Sequence, residues 1–230
     1  MADGPTIHPH PPSIPEDWLA VYRALPPAIL GRVLDEGFVD PDLRPIARPV
    51  QIVGTAVTVR LPEGDVGPMF AAVDLLRPGD VLVIDAGGDR WRACWGEPAA
   101  LVAKARGCVG VIVDGAVTDV VAIGKLALPT FARGVSARLG RPEGRSSGAV
   151  NAPAQCGGVA VHPGDLVVAD DDGIVVIPTA RITEVAVEAR VIAERTAVSR
   201  RWLERGGPIE ALAGLDAAGI GALLRERGWA

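Results

Sequence analysis

The clearest candidate for chemistry in this sequence is the segment Gly110–Asp119. It reads Gly-Val-Ile-Val-Asp-Gly-Ala-Val-Thr-Asp, an apolar run that ends in Thr118 and Asp119. A carboxylate just after a buried strand can hold a hard divalent cation, with water molecules completing the octahedron that Mg²⁺ prefers. The same pattern also fits a purely structural role, in which Thr118 caps a helix and Asp119 occupies its first turn. The segment alone leaves both interpretations open.

A second candidate is the glycine-rich segment Ala86–Gly96, followed by a predicted helix at Pro98–Arg106. The first backbone N–H groups of a helix have no partners within it, and the helix dipole favours an anion at that end. A small carboxylate could therefore bind there through backbone atoms alone, although glycine-rich segments often only turn the chain. The residues in question are Gly96, Glu97, Pro98 and Ala99.

Two predicted strands bring these candidate segments together. Val81–Asp85 and Val109–Val113 are short apolar runs, and the helix Pro98–Arg106 lies between them. A strand, a helix and a strand within about 35 residues form a unit whose strands pair in parallel. Ligands of such sheets bind beyond the carboxyl ends of the strands. Since both candidate segments follow those ends, we expect them to line one site.

The rest of the chain supplies further strands and helices. Residues 1–16 are rich in proline, which predicts an extended arm or a disordered tail. Helices are predicted at Trp18–Gly37, with a break at Pro26-Pro27, and at Asp65–Leu76. The other predicted strands are Ile52–Leu61, which alternates in polarity, Leu128–Ala132, Val159–Val161, Leu166–Ala169 and Ile174–Ile177.

A long helix is predicted after Thr179, which we expect to cap it. Its apolar stripe contains Ile182 and Val185, but Val187 and Val191 lie outside that stripe. This surplus suits a helix that packs both on its own core and on a neighbouring subunit. The predicted organisation is an arm at 1–16, one α/β domain over 17–205 and a helical tail over 206–230.

Composition narrows the class of protein. The chain has 230 residues, of which 49% are hydrophobic, and a formal net charge of −5. An acidic balance argues against nucleic acid as the partner, because phosphate binding needs a basic face. The three cysteines form no C-x-x-C pair, and we find neither a signal peptide nor an apolar run of about 20 residues. We therefore predict a cytoplasmic protein with reduced thiols and no membrane contact.

Four motifs, taken in order, point to a family. They are Pro78–Asp85, Ala93–Glu97, Ala103–Gly115 and Gly158–Pro178. In order and spacing they resemble the class II pyruvate aldolases that act on 4-hydroxy-4-methyl-2-oxoglutarate and 4-carboxy-4-hydroxy-2-oxoadipate. That family also contains the regulator of ribonuclease activity A. The resemblance extends from Gly54 to Pro178.

The resemblance implies a single-domain α/β sandwich of the swivelling β/β/α type, with helical extensions at both ends. It also implies a homotrimer or a dimer of trimers, with sites at the subunit interfaces. In the family, pyruvate binds to backbone amides at the positions matching Gly96–Ala99. Mg²⁺ or Mn²⁺ is held there by the aspartate that matches Asp119.

Two further carboxylates follow from the resemblance. Glu97 matches an acidic residue that holds a proton-transferring water. A carboxylate from the C-terminal helix of the next subunit approaches the metal; Glu194 is the best match, and Glu188 is the second choice. A metal bound to the carboxylate and keto oxygens acts as a Lewis acid and stabilises the enolate that cleavage creates. A base removes the proton of the distal hydroxyl.

One residue departs from the family pattern. The family motif is Gly-x-x-Arg-Asp, and Thr118 stands at the arginine position. The loss of one preorganised donor of this kind costs about 10²–10³ in rate. Three explanations remain open: Arg90 or Arg92 supplies the charge, the substrate is different, or the protein acts by binding alone.

The sequence therefore predicts a divalent-metal-dependent carbon–carbon lyase for a small 2-oxo acid. The reaction is either retro-aldol cleavage or decarboxylation of an oxaloacetate-like substrate. The residues predicted for catalysis are Glu97, Arg92, Thr118 and Asp119, and those predicted for the metal are Asp119 and Glu194. The alternative is a non-catalytic binding protein that resembles the ribonuclease regulator.

Overall fold

The computed structural model describes residues 4–143 and 148–229. Its strands are β1 (Thr6–Ile7), β2 (Arg44–Pro45), β3 (Gln51–Arg60), β4 (Asp80–Trp95), β5 (Gly110–Val117), β6 (Thr130–Val135), β7 (Ala149–Val150), β8 (Ala154–Cys156), β9 (Val159–Val161), β10 (Leu166–Asp170) and β11 (Gly173–Ile177). Its helices are α1 (Glu16–Arg23), α2 (Pro27–Leu30), α3 (Gly67–Leu75), α4 (Glu97–Ala105), α5 (Val120–Leu126), α6 (Ile182–Glu204) and α7 (Ala217–Glu226).

The centre of the molecule is a mixed sheet. Strands β3, β4, β5 and β6 pair in parallel, in that order, while β10 pairs antiparallel with β3 and with β11. The predicted α/β class is confirmed, and so is the parallel pairing of β4 and β5 around α4. Helices α3, α4 and α5 pack on the sheet in one apolar cluster that includes Trp95 and Ile123.

Both faces of the central strands are covered. All eight residues of β5 are buried, and so are the eight central residues of β3, Ile52 to Val59. The alternation expected in β3 therefore does not mark a half-exposed strand. Its threonines are buried too: Thr55 accepts a hydrogen bond from the Ile14 amide, and Thr58 donates one to the Ala152 carbonyl.

Strand β4 is far longer than the predicted Val81–Asp85. It continues as one 16-residue strand to Trp95, so the segment predicted as a glycine-rich loop is part of the sheet. Its pairing with β5 shifts register three times, after Asp85, Asp89 and Ala93. Gly87 and Gly88 adopt φ values of 63° and 73°, which glycine reaches without steric cost. The irregular extension brings Gly96 to the end of β5.

The helical ends also differ in detail from the prediction. The segment Trp18–Gly37 forms two short helices, α1 and α2, because the proline pair interrupts it. Thr179 does not cap α6: its hydroxyl donates to the Gly164 carbonyl, and a 3-10 turn precedes the helix. Helices α1, α2 and α6 pack on β10 and β11, and the Tyr22 hydroxyl donates to the Ile182 carbonyl at 2.7 Å.

The described part of the proline-rich arm, residues 4–16, is extended and docked. Strand β1 pairs in parallel with β7. His10 lies with Nε2 2.8 Å from the Asp80 carboxylate and Nδ1 2.8 Å from the Pro11 carbonyl. Asp80 is fully buried, so this contact fastens the arm to the start of β4.

In the described part of the chain, no helix is both long and apolar enough to cross a membrane.

Candidate active site

Asp119 follows β5 in an uncommon backbone conformation. Its φ of 54° and ψ of 33° lie in the left-handed region, which costs a non-glycine residue about 1–3 kcal/mol, although aspartate tolerates it better than most. Asp119, not Thr118, occupies the N-cap position of α5, and its side chain makes no capping hydrogen bond to that helix. Instead, Oδ2 accepts a hydrogen bond from the Glu97 amide at 3.0 Å. The carboxylate is therefore directed toward α4, away from its own helix.

Gly96 makes this approach possible. A β-carbon at position 96 would lie 2.7 Å from Asp119 Oδ2 and 2.9 Å from Thr118 Cγ2, closer than real side chains come. The Gly96 backbone itself is extended, with φ of −157°, so close contact and not a special φ requires glycine here. The structure thus brings together the two segments that the sequence singled out.

The backbone donors at the start of α4 are fewer than the sequence argument assumed. The Glu97 amide already donates to Asp119, and Pro98 has no N–H to donate. The Ala100 amide donates to the Gly96 carbonyl. A ligand carboxylate at Gly96–Ala99 would therefore depend on the Gly96 and Ala99 amides or would compete with Asp119 for the Glu97 amide.

A cavity of about 200 Å³ opens beside Asp119. Gly96, Thr118 and Asp119 form its polar end, and much of the remaining wall is apolar, from Met69, Phe70, Trp95 and Leu139. This volume is below the range of about 300–1,000 Å³ that drug-sized ligands occupy, so it suits a molecule of a few carbon atoms. The apolar wall favours exclusion of water from one side of a bound ligand.

The charges around this cavity favour a cation. Among the described residues, its lining includes the Asp119 carboxylate and no lysine or arginine. An anionic ligand would be repelled by Asp119 unless a positive charge lay between them. Asp119 is exposed, and one carboxylate with water and ligand oxygens is a normal Mg²⁺ environment. The residues present therefore fit a divalent metal that the ligand helps to hold, although the described residues contain no cluster of three or more metal-binding side chains.

Cys94 lines the same cavity as a neutral thiol. Burial raises its pKa to about 12, so the thiolate is scarce at neutral pH. Its Sγ lies 3.8 Å from the Ala116 carbonyl. Cys94 is therefore not a candidate for a thiolate nucleophile.

Neither arginine proposed to replace the motif arginine lines this cavity. Arg92 is paired with Asp89 at 2.6 Å and with Glu63 at 2.8 Å, and Arg90 is paired with Asp42 at 2.6 Å. Thr118 lines the cavity, half-buried, with its methyl group near Gly96. Within the described residues of one chain, the position vacated by the arginine receives no cationic side chain.

The remaining predicted residues do not line the Asp119 cavity. Glu97 is exposed at the first position of α4, two residues after β4 ends. Glu194 and Glu188 are exposed on α6, and neither lines the Asp119 cavity of the same chain. The approach of Glu194 from a neighbouring subunit stays a prediction.

Sequence reasoning missed the segment that closes the cavity. Leu139 and Gly140 form part of its lining, and the Gly140 amide donates to the Ala93 carbonyl at 2.9 Å. A β-carbon at Gly140 would lie 2.6 Å from Val66 Cγ1. The segment has no strand or helix periodicity; a lone glycine was the one available signal of this close contact.

Comparisons with known proteins give a consistent family. A family model described as RraA-like, Aldolase/RraA, matches residues 28–176, more than half of the chain. A protein from Halalkalibacterium halodurans, provisionally named 4-hydroxy-4-methyl-2-oxoglutarate aldolase, is 35% identical over 202 residues, covering 82% of this chain and 95% of the relative.

Solved structures show the same fold. The structure of RraAS2 from Streptomyces coelicolor, titled an unusual member of the RNase ES inhibitor RraA family, has a TM-score of 0.74 and 26% identity, covering 84% of this chain and 98% of that one. An uncharacterised protein from Pseudomonas syringae has a TM-score of 0.78 and 25% identity, covering 88% and 99%. The fold expected from the four motifs is confirmed.

Proposed function

This chain belongs to the RraA-like family, and from that membership we propose that it is a divalent-metal-dependent carbon–carbon lyase for a small 2-oxo acid. The observation that carries the proposal is the contact between Gly96, Glu97 and Asp119. It holds an exposed carboxylate, in a strained conformation, beside a small cavity whose described lining residues include no lysine or arginine. Strain of this kind concentrates at functional sites.

Asp119 would hold Mg²⁺ or Mn²⁺, with Glu194 of a neighbouring subunit as the second carboxylate. When bound, the metal supplies Lewis-acid stabilisation of negative charge on the keto oxygen of the substrate. The Glu97 amide orients Asp119 for this task through its hydrogen bond to Oδ2.

The other residues of the site position the substrate and move protons. Glu97 is exposed and lies in the chain between Gly96 and Pro98, which line the cavity, and its carboxylate would hold a water that accepts or returns a proton. Phe70 and Leu139 are 48% and 58% exposed on this chain and contribute to the wall, so a bound substrate would shield apolar surface there. Each of these tasks requires only groups that already line or border the cavity.

Thr118 supports an altered substrate. A threonine can donate one neutral hydrogen bond but cannot supply the charge of an arginine. We therefore expect retro-aldol cleavage of a 4-hydroxy-2-oxo acid, or decarboxylation of an oxaloacetate-like acid, at a rate below that of relatives with the arginine.

The test is release of pyruvate from a panel of 4-hydroxy-2-oxo acids and from oxaloacetate, with Mg²⁺, with Mn²⁺ and with a chelator. The proposal predicts metal-dependent release that Asp119→Asn abolishes. Correcting for the metal-catalysed background of oxaloacetate is essential. Absence of turnover across the panel, or release unaffected by Asp119→Asn, would refute a lyase function.

A second candidate is a binding protein of the ribonuclease-regulator kind. It is favoured by Thr118, which replaces the arginine of the family motif, and by structural similarity to RraAS2, which is titled an unusual member of the RNase ES inhibitor RraA protein family. It predicts that immobilised protein retains a ribonuclease from a cell extract of its own organism, and that Asp119→Asn retains it equally well. Catalytic turnover without such capture would favour the first candidate.

We also propose that the protein is a cytoplasmic homotrimer or dimer of trimers. Val187 and Val191 on α6 are 61% and 63% exposed in the single chain, which leaves an apolar strip for a neighbouring subunit. Light scattering after size-exclusion chromatography would measure the mass, and Val187→Lys with Val191→Lys should reduce it. A monomeric wild-type protein would contradict this assembly.

A further inference from the structure

A second, larger cavity lies next to the Asp119 cavity. Its volume is about 660 Å³, and Leu139 and Gly140 line both cavities. Its charged lining residues are Arg92, Arg138, Arg141 and Glu143. A ligand that lies at Asp119 and extends past Gly140 would therefore enter a basic environment.

Two of these arginines have no ion-pair partner in the described part of the chain. Arg92 is paired with Asp89 and Glu63, so its charge is already compensated. Arg138 and Arg141 are exposed, and no carboxylate among residues 4–143 and 148–229 forms a salt bridge with either of them. Glu143 on the same rim has contacts of its own.

The backbone that carries these arginines is fixed to the sheet. The Ala93 amide donates to the Arg138 carbonyl at 2.8 Å, and the Arg141 amide donates to the Gly64 carbonyl at 3.1 Å. Leu139 forms a parallel bridge with Ala93, and the Ser136 hydroxyl donates to the Trp91 carbonyl. A fixed backbone reduces the entropy lost when the arginine side chains close on an anion.

We propose that Arg138 and Arg141 form an anion subsite that receives the second acid group of a dianionic 2-oxo acid whose 2-oxo acid end lies at Asp119. The proposal rests on the proposed function for the position of the reacting end. An arginine guanidinium matches a carboxylate through two parallel N–H donors, which makes it selective for this group. The chain has no cation at position 118, but Arg138 and Arg141 line the cavity next to the Asp119 cavity. Their positive charge would therefore select the substrate and would not act on the reacting carbonyl.

The experiment compares two ligands with five-carbon chains, 2-oxoglutarate and 2-oxopentanoate, which differ in the second carboxylate. Their dissociation constants are measured calorimetrically with the full-length protein and Mg²⁺. We expect the wild type to prefer 2-oxoglutarate, and we expect Arg138→Gln and Arg141→Gln each to reduce that preference by about five- to tenfold, as for a charge-assisted hydrogen bond at a partly exposed site. The double variant should lose the preference.

Arg106→Gln is the matched control, since it removes the same charge at the opposite end of α4 and should keep the preference. A wild type without preference, or variants that keep it, would overturn the subsite. Oxalate binding separates the two proposals: if wild type binds no oxalate with Mg²⁺ but still binds 2-oxoglutarate through Arg138, the proposed function fails and the subsite stands. If neither ligand binds, both proposals are overturned.

Discussion

At the scale of single residues, the site depends on one close contact. Gly96 permits the Asp119 carboxylate to reach the Glu97 amide, and Asp119 accepts a left-handed backbone to do so. The sequence could single out both residues, because each follows a predicted strand of one parallel pair. It could not predict that they touch, since that depends on the irregular end of β4.

Replacing Gly96 tests this contact. The β-carbon of Gly96→Ala would collide with Asp119 Oδ2, so the carboxylate must move. The stabilisation by Mg²⁺ and oxalate, about 2.7 kcal/mol for a ligand at 100 times its dissociation constant, should fall sharply. Thermal unfolding with and without the ligands measures it.

Gly124→Ala is the control for this change. Gly124 lies within α5, where an added β-carbon meets only the Ala47 side chain at an ordinary 3.6 Å. That variant should keep the full ligand response and unfold at the same temperature or slightly higher. An unchanged ligand response in Gly96→Ala would show that the contact is not needed.

The reactivity of the three buried cysteines is a second prediction at the scale of single residues. Burial raises the pKa of the Cys94 thiol to about 12 and that of Cys108 to about 11, and it also raises the pKa of Cys156. Because the thiolate is the reactive form, all three thiols should react with a chromogenic disulfide reagent at pH 8 only as fast as the protein opens. Rapid labelling of Cys94 in the native protein would contradict its burial in the wall of the site.

At the scale of elements, β4 differs most from its prediction. Glycine at positions 87 and 88 and several polar residues give Ala86–Gly96 the composition of a loop. Long-range pairing with β5 overrides that local signal, and the glycines absorb the register shifts as bulges. By contrast, β5 could be predicted because its buried apolar run is continuous.

The contact between His10 and Asp80, which fastens the N-terminal arm to β4, can be tested by mutation. His10→Ala removes the partner of the buried Asp80 carboxylate, whose remaining hydrogen bond comes from the Arg77 amide. We expect a loss of about 1–3 kcal/mol in the free energy of unfolding, because a buried charged group loses a hydrogen bond. Urea unfolding measures it.

His8→Ala serves as its control in the same arm. The His8 side chain is exposed, and its hydrogen bonds are made by its backbone: the N–H donates to the Val150 carbonyl, and the carbonyl accepts from the Asn151 side-chain amide. That variant should unfold at the wild-type urea concentration. Equal losses for the two variants would mean that the arm is not fastened through His10.

Tyr22 links α1 to the start of α6, and its titration is a further prediction. Burial raises the pKa of its hydroxyl to about 12, above its ordinary value of 10.0, so the folded state favours the neutral form. The contribution of this pKa shift to the free energy of unfolding is complete below pH 10 and is lost as the pH rises from 10 to 12. The free energy of unfolding should fall over that range in wild type and fall less in Tyr22→Phe.

At the scale of the whole molecule, the order of motifs predicted the fold. The chain is similar both to a protein provisionally named an aldolase and to a structure titled as a member of the RNase ES inhibitor RraA family, so fold alone does not settle function. The distinction lies in a few side chains around Asp119. Thr118 could be recognised as a departure from sequence alone, whereas the arginines of the neighbouring cavity could not, because their segment has no periodicity.

The most direct test of the account is calorimetric titration of oxalate into the wild-type protein and into Asp119→Asn, each with Mg²⁺ and with a chelator. Asparagine also tolerates the left-handed conformation and keeps the shape of the side chain, so the variant should fold normally. We predict binding to wild type only with Mg²⁺, and its loss in Asp119→Asn. Binding that is independent of the metal, or equal in the two proteins, would contradict a metal-dependent 2-oxo acid site at Asp119.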